Sequence, residues 1–288
     1  MANASTPATM SFWEHLEELR SRLIKAMIAY AAGVSVAWAY RDPILAWLWK
    51  PFADSWRQEN IPGDPTLNFA APSDAFTSYL RLSLIVGLLV SAPVIFYELW
   101  AFIAPGLYKR EKRLVLPFVL FSTVLFVGGA LFGWRIAFPV TFQYFLGLAG
   151  NAQLSGLAIR PVVMMSQYLE FASQMLLAFG IVFELPLFIL FLSIAGVVNY
   201  LQLWRFGRWF VLVAFTVGAI LTPPDTTSQI MMSVPLCLLY FLSIGLAYLF
   251  GKRPSPEQIA ADRERRRAAA LRARSDRLAR QAAKTKGR

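Results

Sequence analysis

Six long apolar runs dominate the pattern of hydrophobic and polar residues along the chain. A helix needs about 20 apolar residues to cross a bilayer, and most of the runs reach or approach that length. They cover Leu23–Tyr40, Phe76–Phe102, Leu114–Phe138, Tyr168–Ile194, Trp209–Leu221 and Ile230–Phe250, of which the fifth is unusually short. None of them alternates polar and apolar residues as a barrel strand does. The pattern therefore predicts an all-α membrane protein with six transmembrane helices.

The composition favours a membrane protein over a soluble one. Of the 288 residues, 57% are hydrophobic and 16% are charged, and the mean hydropathy is +0.50. Soluble domains are about a quarter charged, so this chain has too few polar residues to cover a soluble surface. One cysteine and one histidine are too few for an internal disulfide or for a zinc or haem site. We therefore expect no metal and no cofactor, and the absence of a phosphate-binding glycine-rich motif argues against ATP hydrolysis.

The positive charge of the chain is concentrated at its C-terminal end. The formal net charge is +11, and residues 252–288 contain 13 basic and 4 acidic residues but no aromatic residue. Nucleic-acid-binding surfaces combine basic with aromatic residues, so we expect no nucleic-acid binding. All but six of the 28 basic residues fall on one side of the predicted helices, which predicts that both termini are cytoplasmic. The six exceptions are Arg41, Lys50, Arg57, Arg81, Arg135 and Arg160.

The pattern divides the chain into three parts. Residues 1–22 are predicted to form a cytoplasmic amphipathic helix that begins at a capping box, Ser11-Phe12-Trp13-Glu14. Residues 23–250 form the six-helix membrane domain, and residues 251–288 form a basic cytoplasmic tail that is partly disordered. Residues 44–52 predict a further short helix at the membrane interface, where tryptophan is favoured. The acidic first part contains no apolar core, so we expect no cleavable signal peptide and a location in the bacterial inner membrane.

Three carboxylates occupy unusual positions. Glu184 lies inside the fourth apolar run, where a charged residue costs about 2.5–3.5 kcal/mol on insertion scales. It is either a functional acid or a protonated side chain bonded to a backbone carbonyl that Pro186 leaves free. Glu18 and Glu111 lie within basic cytoplasmic segments. Glu18 can also simply pair with Arg22 one helical turn away, which contributes only a few tenths of a kcal/mol. Spacing alone leaves both questions open.

Two further residues, Glu98 and His15, are weaker candidates for a functional role. Glu98 lies in the second apolar run, but only one to two turns from the cytoplasmic loop, so we expect it to be less buried than its surroundings suggest. His15 lies among charged residues before the first run, so we expect it to be solvated or to cap a helix.

Four blocks of sequence resemble the TatC family, the multi-spanning subunit of the twin-arginine translocase. The blocks are HLEELRSRL at 15–23, SAPVIFYELWAFIAPGLYKREKR at 91–113, FGIVFELP at 179–186 and LTPPDTTSQ at 221–229. They occur in the order of the family and extend from the N-terminal segment into the sixth run, whereas the tail carries no resemblance. The resemblance implies a concave, glove-like fold of six helices with two short C-terminal spans.

The same resemblance implies a function. A TatC protein is the receptor for twin-arginine signal peptides and the core subunit of the Tat translocase, which exports folded proteins across the cytoplasmic membrane using the proton-motive force. It implies no enzymatic activity. The implied partners are single-span subunits of the TatA/TatB type, the signal peptides of folded cargo, membrane lipid, and further copies of the chain within a receptor complex.

The matching motifs also imply roles for individual residues. Signal-peptide binding is implied for Glu18, Glu111, Arg20, Arg22, Arg113 and Phe102, with the two acids reading the arginines. Glu184 corresponds to an intramembrane functional acid, Thr222 and Gln229 to docking contacts for a partner helix, and Pro51 and Asp225 to structural or gating positions. Two other classes remain as alternatives: a secondary transporter that uses Glu184 as its proton site, and a non-transporting scaffold. Secondary transporters usually contain internal repeats, and this chain shows none.

Overall fold

Helices make up most of the chain in the computed structural model, which describes residues 12–103, 115–154, 161–221, 226–253, 256 and 259–260. The helices within these ranges are α1 (Phe12–Ala39), α2 (Arg41–Gln58), α3 (Pro72–Ile103), α4 (Val115–Phe132), α5 (Phe138–Leu154), α6 (Met165–Phe183), α7 (Leu185–Ala195), α8 (Tyr200–Leu221) and α9 (Thr226–Phe250). A π-helical segment, Gly133–Ala137, joins α4 to α5. Ser11, the first residue of the predicted capping box, lies outside the described residues.

Among the described residues, six helical stretches are long and apolar enough to cross a membrane, which confirms the predicted fold class. They are Trp13–Ala39, Pro72–Ile103, Val115–Leu148, Met165–Ala195, Tyr200–Ile220 and Gln229–Phe250. The fifth begins earlier than the predicted Trp209, because helix α8 continues back through Arg205 and Arg208 to Tyr200. Arginine lowers the local hydropathy, but its long side chain can reach polar surroundings without ending the helix. The last two spans, at 21 and 22 residues, are still shorter than the first four.

Helix α1 packs along α3 at a crossing where a glycine of each helix lies against the backbone of the other. A Cβ atom placed on Gly33 would lie 2.6 Å from the carbonyl oxygen of Gly87, and one placed on Gly87 would lie 2.7 Å from the Cα of Val34. Both distances are shorter than real contacts, so only glycine permits this approach. Helices in lipid gain little from hydrophobic burial and associate through such close packing.

Helices α4 and α6 cross in the same manner. A Cβ on Gly129 would collide with the backbone carbonyl oxygen of Phe179, and one on Gly180 would lie 2.8 Å from the ring of Phe126. Fully buried aromatic and aliphatic side chains of α6, among them Phe179 and Leu169, continue the interface toward the start of the helix. The two glycine crossings thus involve the first four spans, which are the longest of the six described.

A cap of short elements covers the end of the bundle at which α1 ends and α3 begins. Two parallel strands, β1 (Leu67–Asn68) and β2 (Val163–Met164), pair there. The hydroxyl of Tyr168 donates a hydrogen bond of 2.7 Å to the carbonyl oxygen of Leu48, which fastens α6 to α2. Helix α2 is the helix that the tryptophan-rich residues 44–52 predicted, and it extends over eighteen residues.

We predict opposite outcomes for alanine at two adjacent glycines of α4. Nothing lies within 4 Å of a Cβ on Gly128, whereas a Cβ on Gly129 meets the backbone of Phe179. Gly128→Ala should leave the thermal unfolding midpoint in detergent unchanged or slightly raised, because alanine favours helix over glycine. Gly129→Ala should lower the midpoint, since overpacking of this kind costs about 1–3 kcal/mol. Equal midpoints for the two variants would contradict the close α4–α6 approach.

Candidate functional site

A chain of charged side chains connects α1 to α3 near the beginning of α1. Arg22 follows Glu18 by one helical turn, so the two side chains lie on the same face of α1. The guanidinium donates from Nε and Nη2 to Oε1 of Glu18, at 2.9 and 2.7 Å. Its Nη1 donates to Oε2 of Glu98 on α3, at 3.1 Å. One arginine therefore binds two carboxylates from two helices.

The burial of Glu98 differs from the sequence-based expectation. Its exposed fraction is 8%, so the residue is buried rather than accessible from the loop. A buried carboxylate is stable only when it is paired and hydrogen-bonded, and Arg22 supplies the pairing charge. The expectation that Glu98 is accessible was wrong because its partner Arg22 lies 76 residues earlier in the chain. The sequence around Glu98 gives no sign of that partner.

Two aromatic rings lie beside this network. The imidazole of His15 stacks on the ring of Phe102 with centroids 4.4 Å apart and an interplanar angle of 13°. Nδ1 of His15 is also 3.9 Å from Oε2 of Glu18. That oxygen is buried and has no hydrogen-bond partner among the described residues. His15 is therefore part of an ordered contact between α1 and the end of α3, in addition to being partly exposed.

Several residues of the predicted site are not brought together by the part of the chain that the structure describes. Arg20 is exposed and makes no ion pair within the described ranges. Glu111, Lys112, Arg113, Thr222 and Asp225 lie outside the described residues. Four of the six residues predicted to bind the peptide are thus described, namely Glu18, Arg20, Arg22 and Phe102. The structure places Glu98 and His15 beside them.

Glu184 stands at a break in the fourth span. It ends α6 and precedes α7, whose second residue is Pro186. Pro186 lacks the N–H that would bond the carbonyl oxygen of Val182, four residues earlier, but this oxygen accepts a hydrogen bond from a backbone N–H at the end of α6. The carboxylate lies beside the hydroxyl of Ser122 on α4. This differs from the alternative in which the side chain binds a freed backbone carbonyl.

The surroundings of the Glu184 carboxylate are otherwise apolar. A cavity of about 220 Å³ borders it, and the other residues that line this cavity are Leu88, Ala92, Ile95, Phe96, Phe126, Leu177 and Ile181. One carboxylate oxygen is buried without a hydrogen-bond partner in the described structure. Ser122 in turn accepts a hydrogen bond from Nε1 of Trp100, at 2.9 Å. The acid therefore has one unsatisfied acceptor and borders a small cavity between α3, α4 and α6.

The remaining predicted positions have structural contacts. The amide nitrogen of Gln229 donates to the carbonyl oxygen of Phe215, at 3.0 Å, and so joins α9 to α8. Pro51 is buried within α2, and its carbonyl oxygen accepts a hydrogen bond of 2.8 Å from the hydroxyl of Ser55.

Sequence reasoning missed Glu98, His15 and Ser122 as members of these sites. The one signal that could have identified Glu98 is its position inside an apolar run. His15 lies one turn before Glu18, which places both on one face, but nothing in the sequence pairs it with Phe102. A serine in an apolar helix is too common to indicate a partner for Glu184.

The chemistry of the α1–α3 network is recognition of guanidinium. Carboxylates accept paired hydrogen bonds from the planar fork of an arginine, which a lysine ammonium cannot offer. No group of histidine, cysteine, aspartate and glutamate side chains suited to a metal ion occurs among the described residues. The arrangement holds a cation by charge and geometry.

Comparison with known proteins gives one consistent result. The family model described as Sec-independent protein translocase protein (TatC) matches residues 14–235. The chain is 41% identical over 252 residues to the Sec-independent protein translocase protein TatC of Desulforapulum autotrophicum, covering 87% of this chain and 89% of that one. It is 37% identical to the corresponding protein of Aquifex aeolicus over 251 residues, covering 87% and 100%. A crystal structure of the twin arginine translocase receptor TatC superposes with a TM-score of 0.71 at 36% identity, covering 82% of this chain and 99% of that one.

We predict that Arg22 and Arg20 contribute differently to stability. Arg22→Gln leaves the buried Glu98 without its pairing charge, and hydrogen bonds to charged groups contribute about 1.5–3 kcal/mol. The variant should therefore unfold at a lower temperature in detergent. Arg20→Gln, which changes an exposed arginine of the same turn, should unfold at the wild-type temperature. If the two variants were equally stable, the α1–α3 network would not contribute to folding.

Proposed function

The chain belongs to the TatC family of Sec-independent protein translocase proteins, and we propose that it is a receptor for twin-arginine signal peptides. In this function it is the core subunit of a translocase that exports folded proteins across the bacterial cytoplasmic membrane, driven by the proton-motive force. It carries out no enzymatic step. The observation that supports the proposal most directly is the guanidinium of Arg22 bound between Glu18 and Glu98.

This observation supports the proposal because the group bound to Glu18 in the structure, the guanidinium of Arg22, is the same chemical group as the side chain of a peptide arginine. A peptide arginine offers the same fork of N–H donors that Arg22 presents to Glu18. Glu18 has an exposed side-chain fraction of 18%, compared with 10% for Glu98. An incoming arginine therefore displaces Arg22 from Glu18, and Glu98 keeps Arg22 neutralised during the exchange. The second arginine of the peptide is assigned to Glu111, which follows α3.

The other residues of the motif have supporting roles in this proposal. Arg20 and Arg113 add positive potential that keeps the acids ionised and disfavours peptides bound by charge alone. Phe102 supplies an apolar face beside the acids, on which His15 now stacks.

The proposed orientation follows the distribution of basic residues. The end of the bundle that carries Glu18 and Glu98 is assigned to the cytoplasm together with both termini, and the cap of α2, β1 and β2 is assigned to the opposite side. We assign Thr222 and Gln229 to docking of single-span subunits of the TatA/TatB type, beside the α8–α9 contact that Gln229 makes. Asp225 and Pro51 are assigned structural or gating roles, and further copies of the chain complete the receptor complex.

Glu184 is assigned to a later step than peptide recognition. The residue borders a cavity between three helices and has one unsatisfied carboxylate oxygen, and a polar group brought there by a partner or peptide helix would complete its hydrogen bonds. A secondary transporter would need a polar path on both sides of such an acid. The described lining of this cavity is apolar apart from Glu184 itself, so the structure gives that alternative no support.

The receptor proposal predicts selective binding of arginine. A fluorescent twin-arginine signal peptide titrated against the purified protein should bind at least about tenfold more tightly than its twin-lysine counterpart, because a charge-assisted fork contributes about 1.5–3 kcal/mol. Glu18→Gln and Glu111→Gln should each weaken binding of the arginine peptide about tenfold and reduce the preference for arginine. Glu17→Gln, which alters an exposed acid beside Glu18, is the matched control and should bind as wild type. An unchanged preference for arginine in both site variants would refute the assignment.

The assignment of Glu184 predicts a loss of export without a loss of peptide binding. Glu184→Ala should insert into the membrane and bind the signal peptide normally, yet export a folded reporter protein more slowly. Glu184→Gln should be impaired less, because it retains hydrogen-bonding atoms. Glu170→Gln is the control, since that acid is half-exposed and pairs with Arg81 at 3.4 Å. If Glu184→Ala exported the reporter at the wild-type rate, the functional assignment would be refuted and Glu184 would have only a structural role.

A further inference from the structure

A polar cavity of about 280 Å³ lies between α2 and the junction of α4 with α5, far from the Glu18 site. It is lined by Lys50, Pro51, Asp54, Ser55, Gln58, Trp134, Arg135, Pro139 and Gln143. Lys50 and Arg135 are exposed, and neither makes a hydrogen bond or ion pair within the described parts of the chain. The one carboxylate of the lining, Asp54, lies 3.5 Å from Arg57. The cavity is therefore positively charged and has two cations available.

An apolar cavity of about 250 Å³ lies on the other side of a pair of tryptophans. Its lining has no polar surface and consists of Ile44, Trp47, Leu48, Val86, Leu89, Val127, Ala130, Leu131 and Leu176. Trp47 of this cavity stacks on Trp134 of the polar cavity, with centroids 4.1 Å apart and an interplanar angle of 16°. Nε1 of Trp134 also donates to the carbonyl oxygen of Trp47, at 3.3 Å. The two cavities thus meet at one aromatic wall.

The depth of these cavities in the span matches the boundary between headgroups and acyl chains. Arg135 follows Val115, the first residue of the third span, by twenty residues, which is about 30 Å of helix and the thickness of the hydrocarbon core. Leu131 lies one turn deeper, at the level of acyl chains. Tryptophan is favoured at this boundary because its ring is apolar and its N–H is polar. Arg135 also lies within the π-helical segment Gly133–Ala137, a distortion that often occurs at functional sites.

We propose that these two cavities form one binding site for an anionic phospholipid. The phosphodiester lies between Lys50 and Arg135, and Gln143 lies at the side of the headgroup. The glycerol region lies against Trp47 and Trp134, and one acyl chain enters the apolar cavity beside Leu131. The net positive charge selects a headgroup without a cation of its own. The orientation proposed above places the site in the outer leaflet, where basic residues are otherwise disfavoured. Lipid binding at this site does not depend on signal-peptide recognition.

The test is native mass spectrometry of the purified protein in detergent, titrated with phosphatidylglycerol, phosphatidylethanolamine and phosphatidylcholine of identical acyl chains. Wild-type protein should bind one phosphatidylglycerol preferentially over the other two lipids. Lys50→Gln and Arg135→Gln should each weaken that binding about tenfold, the effect of removing one charge-assisted phosphate contact. Arg81→Gln is the matched control, because it removes an exposed cation near the same end of the bundle but outside the cavity. It should bind phosphatidylglycerol as wild type does.

A second variant tests the apolar half of the site. Leu131 is 45% exposed at the edge of the apolar cavity, so Leu131→Trp should fill the cavity without disturbing the fold. This variant should lose affinity for all three lipids, whereas the cation variants should lose only the preference for phosphatidylglycerol. Three results would overturn the proposal: equal binding of the three lipids by wild type, an unchanged preference in the double variant of Lys50 and Arg135, or a loss in Arg81→Gln as large as in Arg135→Gln.

Discussion

Close backbone approach at glycine is the contact on which the rest of this bundle depends. Apolar side chains gain little by leaving lipid for a helix interface, so the helices must be held by packing at short range. The Gly33–Gly87 crossing sets α1 against α3, and this brings Arg22 to Glu98. The α4–α6 crossing at Gly129 likewise brings Ser122 toward Glu184. Each polar site therefore depends on a nearby contact between backbones at glycine.

Charge is distributed unequally between the two ends of the molecule. One end presents carboxylates that hold a guanidinium, and the other presents cations beside paired tryptophans. The first arrangement suits a peptide cation and the second suits a lipid anion. Both sites combine residues from two helices that are distant in sequence.

The sequence was sufficient for the number and type of spans, because soluble domains rarely contain an uninterrupted run of about 20 apolar residues. The sequence was insufficient for the burial of single residues and for the exact ends of the helices. Glu98 is buried because Arg22 faces it, and the start of α8 lies before Trp209 because arginines near a helix end can reach polar surroundings. The acid at Glu184 was recognisable from the sequence, but its partner Ser122 depends on a helix crossing that hydropathy does not encode.

The resident guanidinium of Arg22 has a consequence for competition in the cell. In the role proposed for Glu18, the tethered Arg22 leaves this carboxylate free for only a fraction of the time, and the apparent dissociation constant of every ligand then rises by the inverse of that fraction. The ratio of affinities between two ligands does not change. For an abundant cation that binds weakly, the raised apparent dissociation constant exceeds the concentration of the cation, so the site stays empty. For a ligand that binds tightly, the constant remains below the ligand concentration, so the site is still filled. A tethered arginine thus sets a threshold that keeps the receptor from being filled by the polyamines and basic peptides of the cytoplasm.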